Sequence, residues 1–337
     1  MILDELDVPI ILAPLAGGPS TPALCAAVSE GGGLGFLALG YLTPAQSGER
    51  IEKTRRLIRR PYGINLFVPS GEPSPPSVYG PFVERLGAEA ERAGIALGEP
   101  RWDDDGWEEK LALVAEARPA VVSFTFGCPA PEVLARVQAA GGSAWVTVTS
   151  SEEARRAAEA GADALVVQGA EAGGHRGSFA DTPDLRVYGL LALLQLVADQ
   201  VELPLVATGG IATARGVAAA LAAGARAAQV GTAFMRCPEA GTADVHRRAL
   251  ASDAPTALTR AFTGRLARGI RNRFMDEHDR HAPLAYPELH YVTAPLRQAG
   301  RKRGDADLVN LWAGEAHRLA QERPAAEVLA QLAEGVR

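Results

Sequence analysis

His175 has the most evident chemistry in this sequence, standing in the run Gly173-Gly174-His175-Arg176-Gly177. An imidazole titrates near neutrality, so it can take or return one proton. Glycines on both sides allow the backbone to come close to a flat ligand. Two amides, Asn65 and Gln168, lie at or near the ends of apolar runs and offer both donors and acceptors. Gly209-Gly210 and Gly231-Thr232 follow two further apolar runs. Glycine turns in such places let backbone N–H groups approach a phosphate.

The missing side chains narrow the chemistry as much. The chain has only three lysines, Lys53, Lys110 and Lys302, and none ends an apolar run, so a Schiff-base mechanism lacks its nucleophile. No pair of carboxylates stands at two such ends, which removes glycoside hydrolysis. No cluster of histidines and acids has metal-ligand spacing, so no metal is expected. Cys25, Cys128 and Cys237 lie far apart without a CxxC pair, which argues against a disulfide framework and for a reducing cytoplasm. Cys128 has no identifiable base beside it and reads as a small buried residue.

The elements that must position these groups are short and regular. Eight β-rich apolar runs occur at residues 9–15, 34–39, 62–68, 120–126, 144–148, 164–168, 204–208 and 227–234. Helical patterns at 22–30, 44–59, 131–140, 151–160, 185–200 and 213–223 separate them. Pro44 and Pro131 suit first turns, Ser150 precedes Glu152 and Glu153 as a cap, and Gly31, Gly141, Gly161 and Gly224 suit helix ends. The runs are apolar throughout rather than alternating, as expected when both faces are covered. Eight such units predict an α/β fold, a (β/α)8 TIM barrel over residues 1–235, whereas an open doubly wound sheet would call for a GxGxxG opening that is absent.

Residues 69–119 hold Pro69, Pro73, Pro75, Pro76 and Pro81 and the acidic run Asp103-Asp104-Asp105, and they read as a rim insertion. Residues 236–304 read as a mostly helical cap or lid, and 305–337 as C-terminal helices packing back on the barrel. The cap's arginines, Arg260, Arg265, Arg268, Arg271 and Arg273, read as a solvated or interface face, with a substrate clamp as the alternative. His246, His278, His281, His290 and His317 read as structural. A formal charge of −6 gives no general attraction to nucleic acid or anionic membrane, and the chain opens without the basic start of a secretory signal. No apolar run approaches the roughly 18 residues of a membrane span. The expectation is a cytoplasmic protein with a small-molecule partner; homodimerisation is left open.

Active sites of (β/α)8 barrels lie at the carboxyl ends of the strands. There the sequence places glycines, small polar groups, one imidazole and one carboxylate, so a bound cofactor would carry the reaction. Phosphate turns after the last two strands, with two amides facing inward, fit FMN, whose ring has mixed donor and acceptor edges. Each amide is equally consistent with a satisfied core polar group, and the glycines with tight turns alone.

At these residues the sequence resembles the nitronate monooxygenase family, formerly called 2-nitropropane dioxygenases. The match is carried by Ala13-Pro14-Leu15-Ala16-Gly17-Gly18 with residues 27–35, by Gln168 to Gly177, by Val206-Ala207-Thr208-Gly209-Gly210-Ile211, and by Gln229-Val230-Gly231-Thr232. Gly264 to Gly269, Thr293 to Arg297 and Leu311 to Gly314 extend it over nearly the whole chain. The resemblance implies FMN on the barrel, contacted by Ala13, Pro14, Leu15, Asn65, Gln168, Gly173, Gly174, Gly209, Gly210, Gln229, Val230, Gly231 and Thr232, with His175 as the catalytic histidine. It also implies oxidation of alkyl nitronates by O2 to a carbonyl compound and nitrite, without reduced nicotinamide. Leu15 stands where the family often has methionine. Enoyl-acyl-carrier-protein reductases and NADH:quinone reductases share the glycine-histidine block, so an NAD(P)H-dependent FMN reductase is the alternative. A non-redox barrel binding a phosphorylated metabolite is a third reading. The opening block and the long C-terminal region favour the monooxygenase.

Overall fold

Alternation along each strand explains both the barrel and the place of its site. In the computed structural model, which describes residues 2–69 and 71–336, the barrel strands are β1 (Ile10–Leu12), β2 (Gly35–Ala38), β3 (Tyr62–Phe67), β4 (Val121–Thr125), β5 (Ser143–Val148), β6 (Ala164–Gln168), β8 (Leu205–Thr208) and β9 (Ala227–Val230). They pair in parallel in the order β1-β9-β8-β6-β5-β4-β3-β2, and a bridge between Ile11 and Leu34 closes the ring. Ile11, Phe36, Val121, Trp145, Val166, Val206 and Ala227 point inward and fill its lower half, with Leu3 beneath them. Gly63 is required there, since a Cβ would stand 2.4 Å from the Phe36 ring. Two residues further along the strands, the inward positions become Ala13, Asn65, Ser123, Thr147, Gln168, Thr208 and Gln229. An apolar plug thus carries a small polar layer at the carboxyl ends.

The outward residues of the same strands, such as Leu12, Ile64, Phe124 and Val167, pack on the helices. Helix starts follow the capping chemistry of the sequence. Thr43 and Gln46 form a capping box on Pro44–Leu57, and Ser150 and Thr213 cap Ser151–Glu159 and Ala214–Ala222. The helix expected over 185–200 is shorter, Leu190–Ala198. Its upstream residues are drawn into the loop after β6: Ala170 N–H donates to Tyr188 C=O at 2.7 Å, and Glu171 accepts from Leu190 N–H. The last apolar run ends as a strand at Val230 and continues as a 3-10 turn over Thr232–Phe234.

The insertion forms helices Pro76–Ala93 and Trp107–Ala117. The cap forms helices Asp244–Leu250, Arg273–His278 and Glu288–Arg303. Phe82 and Leu86 of the insertion share an apolar core with Phe262, Leu289, Val292 and Leu296 of the cap. The cap also contains an unforeseen hairpin, β10 (Thr256–Thr259) and β11 (Ala267–Ile270). A two-residue strand, β7 (Gly174–His175), joins it as a third strand. The C-terminal helix Ala325–Ala333 packs beside the helices Pro22–Glu30 and Ala214–Ala222.

The five cap arginines do not form a solvated face. Arg265 and Arg268 are buried, Arg260 pairs with Asp181, and Arg273 pairs with Glu89, which leaves Arg271 as the exposed one, bonded to Asp276. Spacing alone carried no sign of those partners, which come from distant segments.

Candidate active site

A cavity of about 610 Å³ opens at the carboxyl ends of the barrel strands, between the polar layer and the cap. Ala13, Pro14, Leu15, Asn65, Gln168, Gly173, Gly174, His175, Gly209, Gly210, Gln229, Gly231 and Thr232 all lie on its wall. Val230 does not. Its neighbours at 229 and 231 face inward, so its side chain is turned into the barrel–helix core, and only its carbonyl serves the site, accepting from Ala13 N–H at 2.8 Å.

The strand β7 fixes the backbone of His175, with Ala267 as its partner in β11. Gln168 clamps the same loop: its Nε2 donates to His175 C=O at 3.1 Å, and its Oε1 accepts from Gly177 N–H at 2.8 Å. One Nε2 proton of Gln168 remains for a ligand. The buried Arg176 reinforces the loop by donating to the carbonyls of Gln168 and Gly169. Gly173 owes its glycine to packing, because a Cβ would stand 2.5 Å from the backbone of Ala313 and Gly314. At Gly174, with φ +75°, a Cβ would meet open space.

The imidazole is enclosed by Phe126, Tyr286 and Trp312, with ring centroids 5.4 to 5.7 Å away. Its Nε2 lies 2.8 Å from Thr263 Oγ1. Burial, with Arg265 and Arg297 adding to it, pushes the His175 pKa down to about 3, so the ring is neutral at physiological pH. Arg101, Arg297 and Arg301 line the cavity, and no Asp or Glu does so among the described residues. Arg297 bonds Thr293 Oγ1 and His290 C=O rather than a carboxylate. The wall is therefore cationic and suited to anionic occupants.

Two histidines read as structural belong to this wall. His290 stacks on Tyr41 at 4.0 Å, and His246 lies 3.0 Å from Trp312 C=O through Nε2. His290, Tyr291, Ala294, Arg297, Gln298 and Arg301 form one face of helix Glu288–Arg303. That periodicity is legible in the sequence, but a polar stripe reads equally as a solvent face. Tyr41 was also missed. It sits in a left-handed conformation, φ +67°, and its N–H donates to Asp105 Oδ1 at 2.8 Å. The buried Lys110 bonds Asp105 Oδ2 at 2.7 Å and Leu39 C=O at 3.0 Å. The insertion's acidic run thus holds the end of β2. Trp312 and Gly314 also reach the cavity from the C-terminal segment.

The residues present fit a phosphorylated ring with a hydrogen-bonding edge. Gln229 Oε1 is buried without a partner. Asn65 commits Nδ2 to Ser123 and Thr125, which leaves Oδ1 for a ligand. Gly209 and Gly210, at φ +118° and +69°, make a turn open only to glycine in practice. The grouping with metal-ligand spacing among the described residues, Glu89, Glu277 and His278, lies off the cavity wall, and Arg273 already bonds both carboxylates.

Comparison with known proteins agrees with this geometry. Residues 2–335 match the family model described as nitronate monooxygenase. The chain is 40% identical to a nitronate monooxygenase of Paraburkholderia phytofirmans, over 97% of this chain and 92% of that protein. It is similar to a solved nitroalkane oxidase from Streptomyces ansochromogenes, with 48% identity, a TM-score of 0.96, and coverage of 99% of this chain and 98% of that one. FabK from Thermotoga maritima is more distant, with 26% identity, a TM-score of 0.78, and coverage of 99% and 94%.

Proposed function

This chain belongs to the nitronate monooxygenase family, and on that premise we propose that it oxidises alkyl nitronates with O2 through bound FMN, giving a carbonyl compound and nitrite. The observation that carries the reading is a neutral imidazole facing a cationic cavity whose described lining residues include no acid. Arg297, buried without a carboxylate partner, attracts the nitronate anion. When the neutral nitroalkane enters instead, His175 takes its α-proton, and the nitronate anion formed beside it offsets the burial that disfavours the imidazolium. Phe126, Tyr286 and Trp312 pack around the imidazole, which stays half-buried on the cavity wall.

FMN, when bound, supplies the ring that accepts electrons from the nitronate and passes them to oxygen. The unpartnered Gln229 Oε1 and the Asn65 amide suit its ring edge, and the turns at Gly209-Gly210 and Gly231-Thr232 suit its phosphate. Ala13, Pro14, Leu15, Gly173 and Gly174 complete the wall on which it would rest. No helix among the described residues is long and apolar enough to cross a membrane, and the three cysteines are unpaired, which fits work in the cytoplasm on small molecules.

Anaerobic mixing tests the reading. The purified protein should be yellow, and a nitronate alone should bleach its flavin band while NADH and NADPH should not. Bleaching by a nicotinamide and not by the nitronate would assign the chain to the NAD(P)H-dependent reductases. A colourless protein that FMN cannot reconstitute would return it to phosphate-metabolite binding.

A further inference from the structure

Behind the imidazole runs a short hydrogen-bonded chain that the proposed reaction does not yet use. His175 Nε2 lies 2.8 Å from Thr263 Oγ1, and Thr263 Oγ1 lies 3.3 Å from the carbonyl oxygen of Arg265. A threonine hydroxyl has one proton, and a carbonyl oxygen only accepts. When the hydroxyl donates to Arg265, Nε2 must be the N–H that donates to the hydroxyl, and both contacts are hydrogen bonds. In the other tautomer the hydroxyl proton goes to Nε2, the Arg265 contact is lost, and Nδ1 carries a proton with no protein acceptor among the described residues. One arrangement makes two bonds and the other makes one.

The relay is also held rigidly. Thr263 is 1% exposed, so water does not compete for its hydroxyl. The Arg265 guanidinium donates to the carbonyls of Ser178 and Arg176 and lies 4.3 Å from the centroid of the Phe126 ring, which anchors the residue whose carbonyl ends the chain. The pairing of β7 with β11 sets the direction from which the ring projects. His175 lies on the cavity wall, and Nδ1 is the ring nitrogen without a protein partner.

We propose that Thr263 is a positioning residue that holds His175 as the Nε2–H tautomer and so makes Nδ1 the atom that accepts the substrate proton. This rests on the reading of His175 as base. In the step, the α-C–H bond of a nitroalkane breaks, its electron pair moves into the nitro group, and the proton passes to Nδ1. The product is a nitronate beside an imidazolium whose Nε2–H still donates to Thr263.

Long-range proton–nitrogen correlation on ¹⁵N-histidine-labelled holoenzyme reads the tautomer directly, with His175→Gln identifying the signals. The expected wild-type result is a protonated Nε2 and a bare Nδ1. Thr263→Val should give a mixture of tautomers. It should also slow nitroalkane turnover at least about tenfold, short of the roughly 100- to 10,000-fold worth of a general base, with nitronate turnover within about twofold of wild type. Thr263→Ser should restore both. A wild-type spectrum with the proton on Nδ1 overturns the proposal, whether or not the valine variant folds. So does a valine variant whose spectrum matches wild type. If His175→Gln turns over nitroalkanes at the wild-type rate, the base assignment itself fails, a result separable from the tautomer because the nitrogen shifts are read without turnover.

Discussion

Lys110→Met should loosen the cavity wall from a distance. Lys110 is 1% exposed, and its ammonium bonds Asp105 Oδ2 and Leu39 C=O. Removing one partner of a buried ion pair leaves an uncompensated charge and costs about 3 to 5 kcal/mol. The Asp105 side chain is 17% exposed and can turn toward water, so the lower end, about 3 kcal/mol, applies. At about 2.1 cal/mol/K per residue, the unfolding entropy of 337 residues is roughly 0.7 kcal/mol/K, so Tm should fall by about 4 °C. The carboxylate should then turn toward water, releasing Tyr41 from its left-handed turn and from its stack on His290. KM for the nitronate should rise more than kcat falls. Adding Asp105→Asn removes the orphaned charge and keeps an oxygen for Tyr41 N–H, so the double variant should recover part of both losses. Calorimetry with steady-state kinetics on the two variants decides the matter. A single variant within about 1 °C of wild type, or a double variant less stable than the single one, would refute the buried-charge reasoning.

His175→Ala should depress turnover of nitroalkanes by roughly 100- to 10,000-fold while sparing pre-ionised nitronates, which have already lost the proton; equal losses for both forms, measured with FMN content near wild type, would make His175 an anion binder instead. Burial holds the folded-state pKa of His175 at about 3 and of His246 at about 4, below the unfolded value near 6.5. The unfolded chain therefore binds more protons in that window, so stability should rise as pH climbs from about 3 toward 6.5 and be lost on acidification, as urea titrations at several pH values will register. For the same reason the free enzyme's kcat/KM for nitroalkanes should show no limb near pH 6.5 from His175, and such a limb, abolished in His175→Ala, would contradict its burial. Gly210→Asp should abolish FMN retention, since φ is +69°, a Cβ would stand 3.0 Å from that of Glu171, and the new carboxylate would oppose a phosphate; absorbance of the purified variant, with and without added FMN, measures this.

The sequence by itself determined the barrel and the ring of groups at its mouth. Strand residues alternate between the interior and the helices, so once the apolar runs are placed, Asn65, Gln168 and Gln229 must lie above the plug of Phe36, Trp145 and Val206. The same parity turns Val230 away, a consequence legible in the sequence but overridden by its place in a matching block. Cap residues such as Thr43, Ser150 and Thr213 act within three residues of themselves, which is why helix starts were readable.

Tertiary structure alone decided the upper half of the site. His175 is aimed by a strand pairing with Ala267 and by Thr263, about ninety residues away in sequence. Tyr41 is set by Asp105 and Lys110 of the insertion, and it meets His290 from the cap. The cap arginines took carbonyl and carboxylate partners from the loop after β6 and from the insertion, so of a stripe that reads as solvated Arg265 and Arg268 are buried and Arg260 and Arg273 are paired. Local patterns encode which face of an element is apolar. A polar group's partner instead depends on which distant segment the folded chain brings within hydrogen-bond reach, and no spacing within one element records that.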